Sequence, residues 1–374
     1  MWLNKCARAI SAPVFPTSEF LFALCQRGAE VALKREASRC WPELAPAYQR
    51  PGLVTFRSPT PVTPELELPW VFARASGMSL GAARDLPSAI ERIERLYQQA
   101  QLSSPLCLQV VERDLFRPDE EPPGYQRGAL AKALETALRA SAGRLVSSRP
   151  LPDAGELVLS AIVAKDDPWV LGLHRHAKTR CPYPGGRYPL LLPPDLPSRA
   201  YAKLEEAIQA FSLPVRAGDG ALELGAAPGG AAYALLRRGV SVVAVDPAQM
   251  EPYVLNFRGP SGARLSHLQK PMGALTRGEL PESAQWLLLD VHLAPQVALR
   301  TARKVASWFR DSLLGAVLTL KLNDWAFADQ IESFLAQARE MGLSLPRAKQ
   351  LASHRQELCV VGLTRRGEAR LRSR

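Results

Sequence analysis

The chain has 374 residues and no uninterrupted apolar run approaching the length of a membrane span. Its longest candidates are broken by charges or prolines, so no membrane partner is expected. The six cysteines, Cys6, Cys25, Cys40, Cys107, Cys181 and Cys359, include no CxxC pair and no framework rhythm. That argues against a disulfide scaffold and fits a reducing compartment, here the cytoplasm. The histidines, His174, His176, His267, His292 and His354, form no zinc-ligand pattern with those thiols, and no metal is expected. The opening "MWLNKCARAISAPVFP" has basic residues but no continuous apolar core, and Pro13 and Pro16 interrupt it, so a secretory leader is not expected. Internal repeats and low-complexity tracts are lacking as well. Acidic residues are the remaining shortage: 36 Asp and Glu against 47 Lys and Arg leave a formal charge of +11. A polyanion is the natural partner of such a surface, and nucleic acid is the commonest one.

What is present is a balance of 47% hydrophobic and 22% charged residues, that of a folded chain, at a length expected to make two or three domains. In the first half, apolar spacing predicts a short strand and a helix over 19–40 and strands over 52–58 and 70–77. A helix over 86–101, a strand over 105–114 and a helix over 128–143 follow. Two strands over 156–175 turn at Asp166, Asp167 and Pro168. This is an α+β arrangement. The segment "CPYPGGRYPLLLPPDLP", 181–197, reads as a linker between a first domain over 1–180 and a second over 198–374. The second half alternates strands with helices, the pattern of a Rossmann-like, doubly wound and mainly parallel α/β sheet. Ligands of such sheets bind beyond the carboxyl ends of the strands.

The stretch "ALELGAAPGG", 221–230, runs from a strand through a bare loop into a helix. A dinucleotide site would need GxGxxG, whose second glycine admits a pyrophosphate; that position is Ala227. Pro228 removes a backbone N–H that a phosphate cradle would use. A ligand without phosphates fits better. S-adenosyl-L-methionine offers an adenine, a ribose and an amino-acid end, and the expected contacts are Glu223, Gly225, Ala227, Pro228, Gly229, Gly230, Asp246 and Asp290. The plainer alternative is a tight turn that serves only helix–sheet packing.

The loop resembles the cofactor motif of the FtsJ-like ribose 2'-O-methyltransferases, a family marked by a Lys-Asp-Lys-Glu tetrad. "SRAYAKLEEA" resembles the family's opening helix and supplies Lys203, "WLLLDV" supplies Asp290, "LTLKL" Lys321 and "RQELCVV" Glu357. The likeness runs from Pro197 to the end of the chain. Within it, "PSRAYAKLEEA" and "LTLKL" are most similar to the RlmM-type branch, which methylates a cytidine ribose of bacterial large-subunit ribosomal RNA. That branch has an N-terminal THUMP-containing RNA-binding region, which 1–180 resembles more weakly. The resemblance implies ribosomal RNA as partner and a monomeric enzyme. Transfer RNA or a messenger cap as substrate, and a silent RNA-binding or assembly factor, are the competing readings. Three positions depart from the pattern: Glu223 replaces aspartate, Ala200 a second serine, and Pro271 an acidic residue expected near the adenine.

The tetrad is also sensible chemically. A ribose hydroxyl is a weak nucleophile, so attack on a sulfonium methyl benefits from a base at the oxygen. Lys203 beside Lys321, with partial desolvation, is expected to depress the pKa of Lys321 enough to leave it neutral part of the time, while Asp290 and Glu357 hold the ammonium groups in position and limit the shift; Lys321 would take the proton, Asp290 and Lys203 tune it, and Glu357 orient it. Alternatively, both lysines stabilise the developing alkoxide. Arg199, Arg347, Lys349 and Arg355 are candidate RNA contacts.

Overall fold

The computed structural model describes residues 16–100, 102–113 and 128–373. The expectation about a leader peptide, and Cys6, lie outside them apart from Pro16. The N-terminal domain contains β1 (Ser18–Leu24), α1 (Glu30–Cys40), β2 (Ala45–Arg50), β3 (Leu53–Val62), β4 (Ala75–Ala83), α2 (Leu86–Ala100), β5 (Cys107–Glu112), α3 (Ala129–Ala142), β6 (Leu157–Val163) and β7 (Trp169–Arg175). Its strands form one mixed sheet in the order β2-β3-β1-β4-β7-β6-β5, antiparallel except for β5 with β6. Helix α2 forms because Ala89, Ile93, Leu96 and Ala100 recur on one face, which is buried. Strand β2 was not expected: "APAYQR" is almost wholly exposed and carries no alternating apolar signal. The strand expected at 70–77 begins only at Ala75, because residues 70–74 bend to meet the second domain.

The C-terminal domain contains α4 (Ala200–Ala210), β8 (Gly220–Leu224), α5 (Gly230–Arg237), β9 (Ser241–Val245), α6 (Pro252–Asn256), β10 (Leu265–Leu268) and β11 (Trp286–Asp290). After these come α7 (Pro295–Ser307), β12 (Gly315–Lys321), α8 (Ile331–Glu340), β13 (Ser344–Lys349), β14 (Glu357–Leu363) and α9 (Arg365–Arg372). The sheet order is β10-β9-β8-β11-β12-β14-β13. The first five strands run parallel, while β14 is antiparallel to both β12 and β13. The mainly parallel, Rossmann-like sheet expected from the alternation is therefore present, with an antiparallel edge that the alternation did not reveal. Edge strand β13 carries Pro346, which obscured it.

Side-chain parity sorts the sheet into two faces. Ala221, Leu288, Val317, Cys359 and Val361 pack under α4 and α5, while Leu222, Leu287, Leu289, Leu318 and Val360 face α7 and α8. Strand order reverses between β8 and β11, which both pair in parallel, so a crevice opens there at the carboxyl ends.

The domains are joined by specific contacts. Glu36 of α1 accepts hydrogen bonds from Val71 N (2.5 Å) and Phe72 N (3.0 Å). From the other side, Gln350 N donates to Val71 O (2.9 Å) and Lys349 Nζ to Trp70 O (3.3 Å). Phe72 meets Trp325 edge to face at 6.0 Å. Among the described residues no helix is long and apolar enough to cross a membrane, and no group of acidic, histidine or cysteine side chains is arranged to hold a metal.

Candidate active site

A cleft of about 700 Å3 lies at the switch point, within the size range of small-molecule sites. Its floor is Gly225, Ala226, Ala227 and Pro228, and its walls include Asp246, Pro271, Met272, Val291 and Leu293. Gly225 has φ +83°, and a Cβ there would lie 2.3 Å from Asp290 O, so only glycine lets β8 and β11 meet at this corner. The Ala227–Pro228 bond is cis. Asp246 fixes the loop: its Oδ2 accepts from Ala227 N (3.1 Å) and its Oδ1 from Ala248 N (2.8 Å).

Not every expected cofactor contact reaches the cleft. Gly225, Ala227, Pro228, Asp246 and Asp290 line it; Gly229, Gly230 and Glu223 do not. A Cβ on Gly230 would lie 2.2 Å from Ser198 Oγ and 2.9 Å from Tyr201 N, so this glycine lets α5 approach α4. Glu223 is 1% exposed and sits under the helices. Register explains it: Glu223 pairs with Leu288, one side-chain row below Asp290 and two below Lys321. Burial, with Asp290 and Asp246 nearby and only an Ala232 N–H opposing, holds its pKa well above the usual carboxylate range.

The structure brings Lys203, Asp290, Lys321 and Glu357 together on one wall of the cleft. Lys321 ends β12 and Glu357 begins β14, where the two are register partners; Asp290 ends β11 and Lys203 lies in the first turn of α4. Lys321 Nζ donates to Asp290 Oδ1 (2.8 Å) and Glu357 Oε1 (2.5 Å). Lys203 Nζ donates to Asp290 Oδ2 (3.0 Å) and is ion-paired with Glu357 Oε2 at 2.7 Å. Each cation meets both anions. This closed ring answers the cost of burying four charges, since every one is paired twice.

The ring corrects one expectation. Burial alone would push the Lys321 pKa down, but Asp290 and Glu357 outweigh it and the net shift is upward. Lys321 is thus an ammonium in the resting site, because two carboxylates in contact count for more than one neighbouring lysine. Burial would raise the Glu357 carboxyl, yet Lys203, His354 and Lys321 hold it well below the ordinary range.

Two residues that sequence reasoning passed over support the ring. Glu206, 1% exposed, accepts from Ala352 N (3.0 Å), Ser353 N (2.7 Å) and Ser353 Oγ (2.5 Å). It ties the helix that carries Lys203 to the loop that leads into Glu357. His354 in that loop is 0% exposed, and burial takes its pKa down to about 4. The signal available was "LEE" itself, whose second glutamate falls on the buried face of α4. Of the basic residues suggested for RNA, Arg199 and Arg355 line the cleft. Arg347 instead stacks over Phe211 at 4.8 Å, and Lys349 is engaged at the domain contact.

Sheet order, glycine loop and charge ring define the second domain as a Rossmann-like methyltransferase, and the FtsJ-like methyltransferase family model matches residues 196–261. That match covers the loop and β9 but ends before Asp290. Three proteins described as ribosomal RNA large subunit methyltransferase M are similar over longer stretches. The one from Tolumonas auensis is 32% identical over 252 residues, 64% of this chain and 65% of that protein. The one from Xylella fastidiosa is 31% identical over 262 residues, 63% of this chain and 67% of that protein. The one from Stenotrophomonas maltophilia is 28% identical over 380 residues, 94% and 98% of the two chains. The chain belongs to the ribosomal RNA large subunit methyltransferase M family.

Proposed function

We propose that the protein transfers a methyl group from S-adenosyl-L-methionine to a ribose 2'-hydroxyl of large-subunit ribosomal RNA, a cytidine being the expected nucleotide. The observation that carries this reading is the ring of Lys203, Asp290, Lys321 and Glu357 on the wall of a cleft floored by the glycine loop. The cleft suits the cofactor: it is large enough, mostly apolar, and free of a phosphate cradle, with Asp246 placed for ribose hydroxyls and Asp290 for a cationic centre. When bound, the cofactor supplies a methyl group on a sulfonium. The residues supply the rest.

Lys321 has three N–H groups and the ring takes two, so the third is available to the ribose oxygen. The lysine begins as a hydrogen-bond donor that orients the hydroxyl. A cation held in the same cleft opposes the ammonium, easing release of the Lys321 proton; the neutral amine then accepts the hydroxyl proton as the oxygen attacks. Asp290 and Glu357 keep Nζ in place in either state. The THUMP-like domain over 1–180, joined by the linker 181–197 to a catalytic domain over 198–374, is assigned to holding RNA. Its supporting feature is a cavity of about 580 Å3 lined in part by Phe20, Tyr48, Arg92 and Arg95, residue types that stack on bases and meet phosphates.

The test is methyl transfer from tritiated cofactor to total RNA by the purified protein, with the modified molecule identified. Lys321→Ala is expected to abolish transfer with cofactor affinity unchanged. Lys321→Arg separates the roles: arginine keeps the charge but cannot act as base, so it is expected to be as inactive as alanine. Appreciable activity in the arginine variant would mean that the cation, not proton transfer, is what the site uses.

A further inference from the structure

Beneath the ring, sharing Ala200, Lys203 and Asp290 with the cleft, lies a small cavity of about 20 Å3 lined in part by Lys203, Glu223, Asp290, Thr319, His354 and Cys359. Two side chains in its wall are fully buried and short of protein partners. Glu223 Oε2 is hydrogen-bonded by no protein group, and neither is either ring nitrogen of His354. Two polar groups buried this deeply without partners are costly unless something bridges them. The volume suffices for a water, and an internal water requires two to four polar partners.

We propose that this cavity is an internal water site, in which Glu223 and His354 hold one water that accepts a hydrogen bond from Lys203. Both hydrogens and one lone pair of the water find partners. Lys203 has three N–H groups, of which the ring occupies at most two. The water accepts from the remaining one and donates one hydrogen to an imidazole nitrogen of His354 and the other to Glu223 Oε2. The functional consequence, which rests on the methyl-transfer reading, is a division of labour between the two lysines. Lys203 is held from below by the water and from above by the ring, and Lys321 alone presents a free N–H to the cleft. Glu223 and His354 are then positioning residues that act through Lys203, and Glu223 does not bind the cofactor.

Two measurements test this on the full-length protein. A crystal structure at about 1.5 Å resolution should show one ordered water within hydrogen-bond distance of Glu223, His354 and Lys203; a dry cavity, or direct pairing of Glu223 with His354, overturns the proposal. The second measurement uses Glu223→Leu, which fills the cavity, and Glu223→Gln, which keeps a polar oxygen there. The leucine variant should lose roughly tenfold or more in kcat and shift its pH profile, with cofactor Kd and RNA KM unchanged, and glutamine should restore kcat to within about threefold. Parental kcat in the leucine variant overturns the proposal, and so does a roughly tenfold weaker cofactor Kd in both variants. If leucine prevents folding, the glutamine variant and the crystal structure still decide. Failure of the parental protein to methylate any RNA would sink the methyltransferase reading while leaving the water site to stand or fall on the density.

Discussion

At the scale of single residues, the site depends on who touches whom at distances near 3 Å. Lys321 shows why composition of the neighbourhood decides: a lysine beside a lysine is expected to lose its proton, but a lysine between two carboxylates holds it. Glu357→Gln removes one of those anions, so the ammonium is less favoured and the Lys321 pKa falls. The free amine is then reached at lower pH, and the limb of the pH–kcat profile that rises toward alkaline pH should move to lower pH. An unmoved limb would show that another group titrates there. Gly225→Ala sets a Cβ 2.5 Å from Val291 Cγ1 as well as against Asp290 O, at a φ that side chains rarely adopt. It is expected to cost about 2–4 kcal/mol of stability, read by chemical denaturation, and to weaken cofactor binding by displacing Asp290.

At the scale of elements, the tetrad is assembled by strand ends and one helix. Strand parity places Asp290, Lys321 and Glu357 on the same face of the sheet, and the antiparallel pairing of β12 with β14 sets Lys321 opposite Glu357. The fourth member comes from α4, and Glu206 fixes where that helix sits relative to the 350–356 loop. Glu206→Ala leaves one buried and one half-buried backbone N–H unpaired, with an expected loss of about 2–4 kcal/mol in unfolding free energy and a lower kcat at unchanged cofactor Kd. Glu206→Gln, which retains one acceptor oxygen, should recover part of both. Equal stability of the alanine variant and the parent would show that the loop is held by other contacts. The strand and helix periodicities of α4, β8, β11 and β12 were plain in the sequence because each has a long apolar face. Strands β2 and β13 were hidden because edge strands have few buried positions from which a pattern can be read.

At the scale of the molecule, the two domains share a polar contact whose titration opposes that of buried histidines elsewhere. Burial lowers His174 to about 3 and His354 to about 4, so both are neutral in the folded state. Their stabilisation is complete above the unfolded pKa near 6.5 and is lost as pH falls from there toward 4, about 2 kcal/mol for each by pH 5. Glu36 runs the other way. Burial, against the Val71 and Phe72 N–H bonds and the Lys349 and Arg39 charges, raises it to about 7. It therefore favours the folded state more as pH falls from 7 to 4.5. Thermal unfolding between pH 5 and 7.5 should show a shallower acid loss for His174→Gln than for the parent, and a steeper one for Glu36→Gln. Parallel curves for all three proteins would mean that neither group's pKa differs between the folded and the unfolded chain.

The glycine loop and the alternation of strands with helices were legible in the sequence, because local propensity, apolar periodicity and motif spacing are properties of neighbours in the chain; the four ring residues were legible only through the resemblance to the FtsJ-like family. Three matters were decided only by tertiary structure: the depth of Glu223 and His354, the ion pairing of Lys321, and the hydrogen bonds of Glu206. Each depends on strand register and on helices laid over the sheet, which set side chains far apart in the sequence within 3 Å of one another or close them off from water. Electrostatic and hydrogen-bond energies change steeply over such distances, so what these groups do follows from the packing rather than from the order of residues.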